Sequence, residues 1–271
     1  MPELPEVETT RRGIAPYLEG RRIKTVVVRD RRLRWPVPAG IETRLAGDHV
    51  ESIDRRAKYL LMRTRRGCLM IHLGMSGSLR VLTVPVVPRP HDHVDLVMAD
   101  GVIIRYHDPR RFGSFLWVEG DPLMHPLLKF LGPEPLSDEF DADHLFALSR
   151  RRSVAVKSFI MNARIVVGVG NIYASESLSL AAIHPLRAAG RISHRRYEML
   201  VQAIRSVLNR SIEMGGTTLR DFVNPGGDPG YFEQTLRVYG RGGLPCLDCG
   251  RPVRQVVIGQ RATFYCPGCQ R

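Results

Sequence analysis

The chain has 271 residues, of which 40 are Lys or Arg and 27 are Asp or Glu, so its formal net charge is +13. Because 44% of its residues are hydrophobic it can bury a core, and a basic globular chain of this kind most often binds a polyanion. No run of about eighteen apolar residues occurs, which excludes a membrane-spanning helix. The acidic N-terminus lacks an apolar segment, so we expect no secretory signal and a cytosolic protein of about two domains.

The first half of the chain predicts one helix followed by a β-rich domain. Leu4, Val7, Ile14 and Leu18 recur at helical spacing, which predicts an amphipathic helix over residues 3–19. Short β-prone runs bounded by turn residues then predict strands. These runs are residues 23–29, 50–53, 59–64, 68–73, 78–82, 94–98, 102–106 and 115–118. The pattern indicates a two-layer β-sandwich or flattened barrel, with the helix packed at its edge.

The pattern changes near residues 131–136, where two prolines in three residues are incompatible with a continuing helix or a central strand. Helical periods follow, and a glycine-rich stretch then separates them from two β-prone segments. The helices are predicted over residues 143–149, 154–162, 171–180 and 193–214, and the β-prone segments are 254–258 and 261–265. We therefore expect an α+β protein with a β-sandwich domain over 1–131, a linker over 132–136, a helical domain over 137–236 and a C-terminal module over 237–271.

Four cysteines in the C-terminal module have the spacing of a metal site. Cys246, Cys249, Cys266 and Cys269 form two CxxC pairs separated by sixteen residues, which is typical of one tetrahedral zinc holding a β-hairpin together. Four thiolate ligands leave no open coordination position, so the zinc is expected to be structural. The alternative of two disulfides needs an oxidising compartment, for which the chain gives no sign. The fifth cysteine, Cys68, lies in an apolar run and is expected to be a buried thiol.

The N-terminus carries a candidate nucleophile. If Met1 is removed, Pro2 becomes a free secondary amine, which can condense with a sugar carbon to give an iminium that acts as an electron sink. Glu3 and Glu6 share one face of the first helical turn, close to that amine, and can shuttle protons. The same residues also make an ordinary helix start, and the local pattern alone favours that interpretation.

Six strings along the chain closely resemble bacterial formamidopyrimidine-DNA glycosylase, and they do so in order and over essentially the whole sequence. Any one of them would be weak evidence, but six with compatible spacing leave little room for coincidence. They are MPELPEVET (1–9), RAKYLL (56–61), HLGMSG (72–77), DPRRFG (108–113), GVGNIYASE (168–176) and the four-cysteine hairpin.

The resemblance implies a bifunctional glycosylase and abasic-site lyase. In that family the proline amine attacks C1′ of a damaged nucleoside and releases the base, and the iminium then drives β- and δ-elimination of the flanking phosphates. Pro2 matches the nucleophile and Glu3 the general acid and base on the sugar. Glu6 matches the family residue that supports the amine. Lys58 matches the family lysine that contacts the lesion phosphate and assists the chemistry.

The resemblance also implies the DNA contacts. Base excision from a duplex requires the target nucleotide to leave the stack, and the vacated space must be filled. Met75, Arg110 and Phe112 match the family's void-filling triad. The GVGN string resembles a helix-two-turns-helix junction, and residues 217–222 match a loop that folds over the flipped base. The remaining DNA-binding residues carried over are His72, Lys157, Asn171, Tyr239 and, on the zinc hairpin, Arg261.

Two other functions compete with this one. An endonuclease VIII-like glycosylase shares the proline, the glutamates and the zinc hairpin but prefers oxidised pyrimidines; Leu4 and the complete triad favour the purine-specific branch. A non-catalytic zinc-dependent DNA-binding protein would share the charge and the zinc site but has no use for Pro2, Glu3 and Lys58 together. We therefore expect a monomer that acts on double-stranded DNA containing oxidised purines or abasic sites, in the cytoplasm at the nucleoid, with one structural Zn²⁺.

Overall fold

The computed structural model describes residues 2–216 and 236–271. Contacts between Cα atoms divide these residues into two compact units. One unit contains residues 2–129 and 214–216, and the other contains residues 130–213 and 236–271. Each unit is described by itself below.

The first unit begins with helix α1, Leu4–Ile14. Glu3 caps the helix, and Pro5 in its first turn suits the fixed helical backbone there. Leu4, Val7 and Ile14 are buried, as the helical spacing predicts. The α-helix is shorter than expected because Pro16 has no N–H to donate, and the chain continues as a 3₁₀ turn over Ala15–Tyr17.

Eight strands form two four-stranded antiparallel sheets, which confirms the predicted two-layer sandwich. The strands are β1 Ile23–Val28, β2 Val50–Arg56, β3 Tyr59–Thr64, β4 Gly67–His72, β5 Ser78–Leu82, β6 Asp92–Met98, β7 Ile103–His107 and β8 Ser114–Val118. In the first sheet the order is β1-β6-β7-β5, and in the second it is β2-β3-β4-β8. A short helix, α2 Ile41–Leu45, was not predicted, because its two buried side chains, Ile41 and Leu45, give a single i, i+4 repeat.

Apolar side chains from both sheets and from α1 share one core. Val94 and Ile104 of the first sheet pack in the same cluster as Leu60 and Ile71 of the second and Val7 of the helix. The chain changes sheets three times, and two of these changes, from β4 to β5 and from β7 to β8, are short loops at one end of the sandwich. The loops at those crossings carry much of the candidate site.

The second unit combines four helices with one β-hairpin. The helices are α3 Ala142–Ser149, α4 Val156–Ile160, α5 Asn171–Leu180 and α6 His194–Glu213, and the hairpin strands are β9 Arg254–Ile258 and β10 Arg261–Tyr265. Helix α6 packs on α3 and α5, and α5 also packs on β10. The hairpin has a small core of its own, centred on Val238, Val253 and Phe264. Within the described residues, no helix combines the length and apolar character needed to cross a membrane.

Candidate functional site

The start of α1 brings two buried carboxylates next to Pro2. Pro2 is buried, and Glu3 and Glu6 are each 1% exposed. The backbone N–H of Glu3 donates to Oε2 of Glu6 at 2.8 Å, one half of a reciprocal capping box. Glu6 therefore fixes the chain one residue from Pro2. The helix-start interpretation and the catalytic one are compatible, because the same carboxylates serve both.

Lys58 lies at the tip of the tight β2–β3 hairpin, where Arg56 pairs with Tyr59. The turn requires a left-handed backbone at Ala57, whose φ is 56°. Arg55 donates from its Nη1 to the Ala57 carbonyl oxygen at 3.0 Å, and its Nε lies 3.1 Å from Oε2 of Glu8 on α1. The hairpin that presents Lys58 is thus tied to the helix that begins at Pro2.

Glu8, the helix end of this tie, is charged at any working pH. Burial raises the pKa of its carboxyl group, but the hydrogen bonds from Arg11 and Arg12 and the charge of Arg55 outweigh burial and lower the pKa to about 2. Its two oxygens lie 2.9–3.1 Å from nitrogens of the three arginines. The ion pair between Glu8 and Arg55, which connects α1 to the Lys58 hairpin, is therefore present in the folded protein at neutral pH.

His72 ends β4 directly across from Tyr59, with ring centroids 4.7 Å apart. Its Nδ1 accepts the backbone N–H of Gly74 at 3.0 Å, so the neutral ring carries its proton on Nε2. Burial, and then the positive charges of Lys58 and Arg34, lower the pKa of His72 to about 4. At neutral pH this side chain is an uncharged hydrogen-bond donor.

The β4–β5 loop and the β7–β8 loop carry the predicted void-filling side chains. Phe112 is 44% exposed, unusual for a Phe, and the Arg110 guanidinium carbon lies 5.0 Å from its ring centroid. Met75, on the other loop, is half-buried. The loops touch through their backbones, because a Cβ on Gly74 would lie 2.4 Å from the Phe112 carbonyl carbon. The structure thus brings all three side chains onto two adjacent loops.

In the second unit, Lys157 has a different setting from a surface cation. It is 1% exposed, and its Nζ donates to Asn171 Oδ1 at 2.6 Å, to Thr263 Oγ1 at 2.7 Å and to the Ala262 carbonyl at 3.2 Å. Asn171 opens α5 and donates in turn to Ala262 at 3.0 Å and to the Tyr239 hydroxyl at 3.4 Å. Lys157 thus joins α4, α5 and the zinc hairpin from inside the unit.

A buried carboxylate holds the segment that carries Tyr239. Glu176 of α5 is 2% exposed and accepts the backbone N–H groups of Arg237, Val238 and Tyr239 at 2.7–3.0 Å. Burial raises the pKa of this carboxyl group, although the three N–H groups favour its charged form. Glu176 lies five positions after Asn171, about one and a half turns of helix along α5, and therefore fixes Tyr239 relative to Asn171.

The four hairpin cysteines fit a zinc ion. All four Sγ atoms lie within 4.8 Å of one another, with Cys246 and Cys269 3.9 Å apart and Cys249 and Cys266 3.4 Å apart. A tetrahedral zinc with Zn–S bonds of about 2.3 Å places its sulfur atoms about 3.8 Å apart. Cys68, in contrast, is a buried thiol whose pKa burial raises to about 11, as expected for a core residue.

Arg261 begins β10 beside the hairpin turn and is exposed. The turn contains Gly259 and Gln260, both with left-handed backbone, at φ 54° and 63°. The loop predicted to fold over a flipped base, residues 217–222, lies outside the described residues, as does Met1.

Sequence reasoning missed several residues that hold this arrangement. Glu8, Arg55 and Glu176 were not singled out, although Glu176 stands inside one of the quoted strings. An acidic residue in an otherwise apolar helix face was the available signal for Glu176, because a buried carboxylate needs donors nearby. Nothing local in the sequence identifies the distant backbone groups that supply them.

Comparisons with known proteins agree with this architecture along the chain. Residues 1–115 match the formamidopyrimidine-DNA glycosylase N-terminal domain, residues 131–223 the formamidopyrimidine-DNA glycosylase H2TH domain, and residues 243–271 the zinc finger found in FPG and IleRS. Formamidopyrimidine-DNA glycosylases from Alkalilimnicola ehrlichii and Methylococcus capsulatus are each 60% identical to this chain, and the alignments cover 100% of both partners.

Solved structures give the same result. The MutM (Fpg) protein from Thermus thermophilus superposes with a TM-score of 0.88 at 40% identity, covering 99% of this chain and 98% of that one. A Lactococcus lactis FPG mutant in complex with DNA containing Fapy-dG superposes with a TM-score of 0.92 at 31% identity, covering 100% of both chains.

A β-sandwich with an N-terminal Pro-Glu pair, a helical domain of the H2TH type and a four-cysteine finger define a base-excision-repair DNA glycosylase. The chain belongs to the formamidopyrimidine-DNA glycosylase family. It is accordingly a glycosylase and abasic-site lyase with one structural zinc, and its partner is damaged duplex DNA.

Proposed function

We propose that Pro2 is the nucleophile of this enzyme and that Glu3 is its general acid and base. The supporting observation is the start of α1, where Pro2 adjoins a carboxylate that is 1% exposed and whose backbone is fixed by Glu6. After removal of Met1, the Pro2 nitrogen bonds to C1′ of the damaged nucleotide as the bond from C1′ to the base breaks. The base leaves with that electron pair and takes up the proton that the Pro2 nitrogen loses.

The remaining steps use the same groups. Glu3 protonates the sugar ring oxygen as the ring opens, which leaves an iminium between Pro2 and C1′. Loss of the C2′ proton then expels the 3′ phosphate by β-elimination, and a second elimination expels the 5′ phosphate. Lys58, at its hairpin tip, holds the lesion phosphate and assists proton transfer. Glu6 keeps the N-terminus in place.

DNA recognition is divided between the two units. In the first unit, Met75, Arg110 and Phe112 occupy the space that the flipped nucleotide leaves. The neutral imidazole of His72 donates a hydrogen bond to the DNA backbone. In the second unit, the DNA phosphates are contacted by Asn171 and the backbone N–H groups at the start of α5, by Tyr239 and by the exposed Arg261.

Lys157 has an indirect role in this scheme. Its 1% exposure and three protein acceptors favour a positioning role over direct contact with phosphate. It fixes Asn171 and the zinc hairpin, and these make the contacts. The protein acts as a monomer of 30.6 kDa on chromosomal DNA, which places it at the nucleoid in the cytoplasm.

A panel of lesions tests the substrate class. Duplexes carrying 8-oxoguanine, a formamidopyrimidine, an oxidised pyrimidine or no lesion are incubated with excess enzyme, and strand cleavage is followed over one turnover. We expect the oxidised purines to be cut fastest and the undamaged duplex not at all. Some cleavage of the oxidised pyrimidine is compatible with this result, since the Lactococcus lactis relative has been solved with DNA containing one.

The competing functions predict different outcomes on the same panel. An endonuclease VIII-like enzyme would cut the oxidised pyrimidine faster than either purine. A DNA-binding protein without catalysis would retain the duplexes in a binding assay and cut none of them, abasic DNA included.

A further inference from the structure

The β4–β5 loop and the β7–β8 loop lie side by side, because the strands at both ends of one loop pair with the strands at the ends of the other. The β4–β5 loop covers residues 73–77, and the β7–β8 loop covers residues 108–113. His72 pairs with Ser114 at one side, and Ser78 pairs with His107 at the other. Each loop therefore crosses the same end of the sandwich, in opposite directions, with its termini pinned to the termini of the other.

A fully buried carboxylate links these loops. Asp108 is 0% exposed, and its Oδ1 accepts the Ser76 hydroxyl at 2.7 Å. Its Oδ2 accepts the Gly113 N–H at 2.9 Å and the Tyr106 hydroxyl at 3.1 Å. Burial, and then the Asp108 charge, raise the pKa of Tyr106 well above its usual value, so the phenol remains a donor. A buried charge is retained in a fold only when donors of this kind compensate its lost hydration.

Ser76 also connects Asp108 to Arg110, whose guanidinium is one of the groups proposed to enter the duplex. While its hydroxyl donates to Asp108, its oxygen accepts the backbone N–H of Arg110 at 3.2 Å. Ser76 directly follows Met75, and it is 4% exposed. One hydroxyl therefore connects the residue after Met75 on one loop with Arg110 and Asp108 on the other.

The loops fit too closely for side chains at their glycines. A Cβ on Gly74 would lie 2.4 Å from the Phe112 carbonyl carbon of the other loop, and a Cβ on Gly113 would lie 1.8 Å from the Tyr106 hydroxyl. Arg111, between the two inserting residues, has a left-handed backbone at φ 59°. Phe112 is exposed, so packing of its own side chain does little to orient it. Its direction therefore depends on the backbone, and Ser76 and Asp108 bond that backbone on either side of Phe112, at the N–H groups of Arg110 and Gly113.

We propose that Asp108 and Ser76 are positioning residues that hold Arg110 and Phe112 in register with Met75, and that this register is needed to open the duplex. The proposal rests on the proposed function, in which these three side chains fill the vacated space. Asp108 and Ser76 contribute nothing to the chemistry at Pro2. Their loss should therefore affect only substrates whose target nucleotide must be extracted from a helix.

The test compares Ser76→Ala with the matched variant Ser78→Ala, a buried serine two residues away at the start of β5. Borohydride trapping rates are measured on one abasic strand, once in a duplex and once single-stranded. Ser76→Ala should slow duplex trapping about ten-fold, the loss expected for about 1.4 kcal/mol of hydrogen bonding, and leave single-strand trapping within about two-fold of wild type. Ser78→Ala should leave both rates unchanged.

An equal loss on both substrates would overturn the proposal, because it would mean that Ser76 supports the fold or the chemistry in general. An unchanged duplex rate would overturn it as well. If the wild-type enzyme traps neither substrate, the proposed function itself fails, which is a separate outcome.

A double-mutant cycle gives a second test that does not depend on the absolute rates. In Phe112→Ala one of the two side chains that the link orients is gone, so adding Ser76→Ala should slow duplex trapping by less than half as much, on a logarithmic scale, as it does in wild type. Fully additive effects would show that Ser76 does not act through the inserting loop, and the proposal would be wrong. Thermal melting of each variant checks that the fold is retained.

Discussion

The two units hold the groups proposed to serve DNA binding in opposite ways. In the sandwich unit, Arg110 and Phe112 stand exposed while a buried carboxylate fixes the loop beneath them. In the helical unit, the cation Lys157 is itself buried and fixes uncharged groups, Asn171 and the hairpin backbone. The comparison teaches that positive charge alone does not identify a DNA contact. Burial and protein acceptors limit how accessible a cation such as Lys157 is to phosphate.

The largest expected effect concerns chemistry in the sandwich unit. Glu3→Gln keeps the size of the side chain but cannot exchange a proton, so 8-oxoguanine excision should fall by about 10²–10⁴-fold. Affinity for the lesion duplex should change little, because the loops and the phosphate contacts remain. Single-turnover cleavage and fluorescence anisotropy measure the two quantities. Exposed Glu51→Gln serves as the control, and wild-type excision by Glu3→Gln would show that the acid-base assignment is wrong.

The next largest effect concerns the zinc hairpin of the helical unit. Because four thiolates close this small element, metal binding and local folding form one equilibrium. Cys249→Ser, or removal of zinc by a chelator, should release Arg261 and the acceptors of Lys157 and lower DNA affinity by about 100-fold or more. Zinc content, anisotropy and far-ultraviolet circular dichroism follow the change, and the helix signal should largely remain. Cys68→Ala is the matched control, and a zinc-free protein with undiminished affinity contradicts the prediction.

A smaller effect distinguishes the exposed cation from the buried one. Arg261→Gln should reduce the slope of log K against log salt by about 0.9, the value for one phosphate contact. Adding Lys157→Met to Arg261→Gln should weaken binding further and lower the unfolding free energy by about 1–3 kcal/mol, since buried acceptors lose their donor. It should leave the salt slope of Arg261→Gln unchanged. A further decrease of about 0.9 would mean that Lys157 does contact phosphate.

The smallest expected effect concerns His72, which should not become protonated between pH 8 and 5. His72 has a pKa of about 4 in the folded protein, below the value of about 6.5 for an exposed histidine. A lowered pKa means that His72 is neutral above about pH 5, and that its contribution to stability is lost only as pH falls from about 6.5 through 4. Nitrogen-15 NMR of the imidazole should find a neutral ring protonated on Nε2 from pH 8 to 5. A midpoint near 6.5 would contradict the burial argument.

Local patterns were sufficient to predict the elements. Strands 59–64 and 78–82, helix 171–180 and both hairpin strands were predicted to the residue, because alternation, helical spacing and turn residues lie within each segment. The zinc site was equally local, since its spacing alone indicates the metal. The main failures were also local, namely the five-residue helix α2 and the early end of α1 before Pro16.

The polar contacts that hold the site could not be predicted in the same way. Ser76 and Asp108 are 32 residues apart, and Lys157 and Thr263 are 106 apart. No periodicity connects such pairs, and a lysine that is buried looks the same in sequence as one that is exposed. Ser76 and Asp108 stand inside two of the motif strings, but their burial and hydrogen-bond partners follow only from the packing of whole elements.

The central claim is that the amine of Pro2 is the nucleophile, and borohydride trapping tests it most directly. The enzyme is reduced on an abasic duplex, digested, and the modified peptide is identified by mass spectrometry. We predict that the adduct lies on the N-terminal residue Pro2, and that protein retaining Met1 or carrying Pro2→Gly gives no adduct on a proline. An adduct on Lys58, or on any other lysine, in the processed wild-type protein would contradict the account.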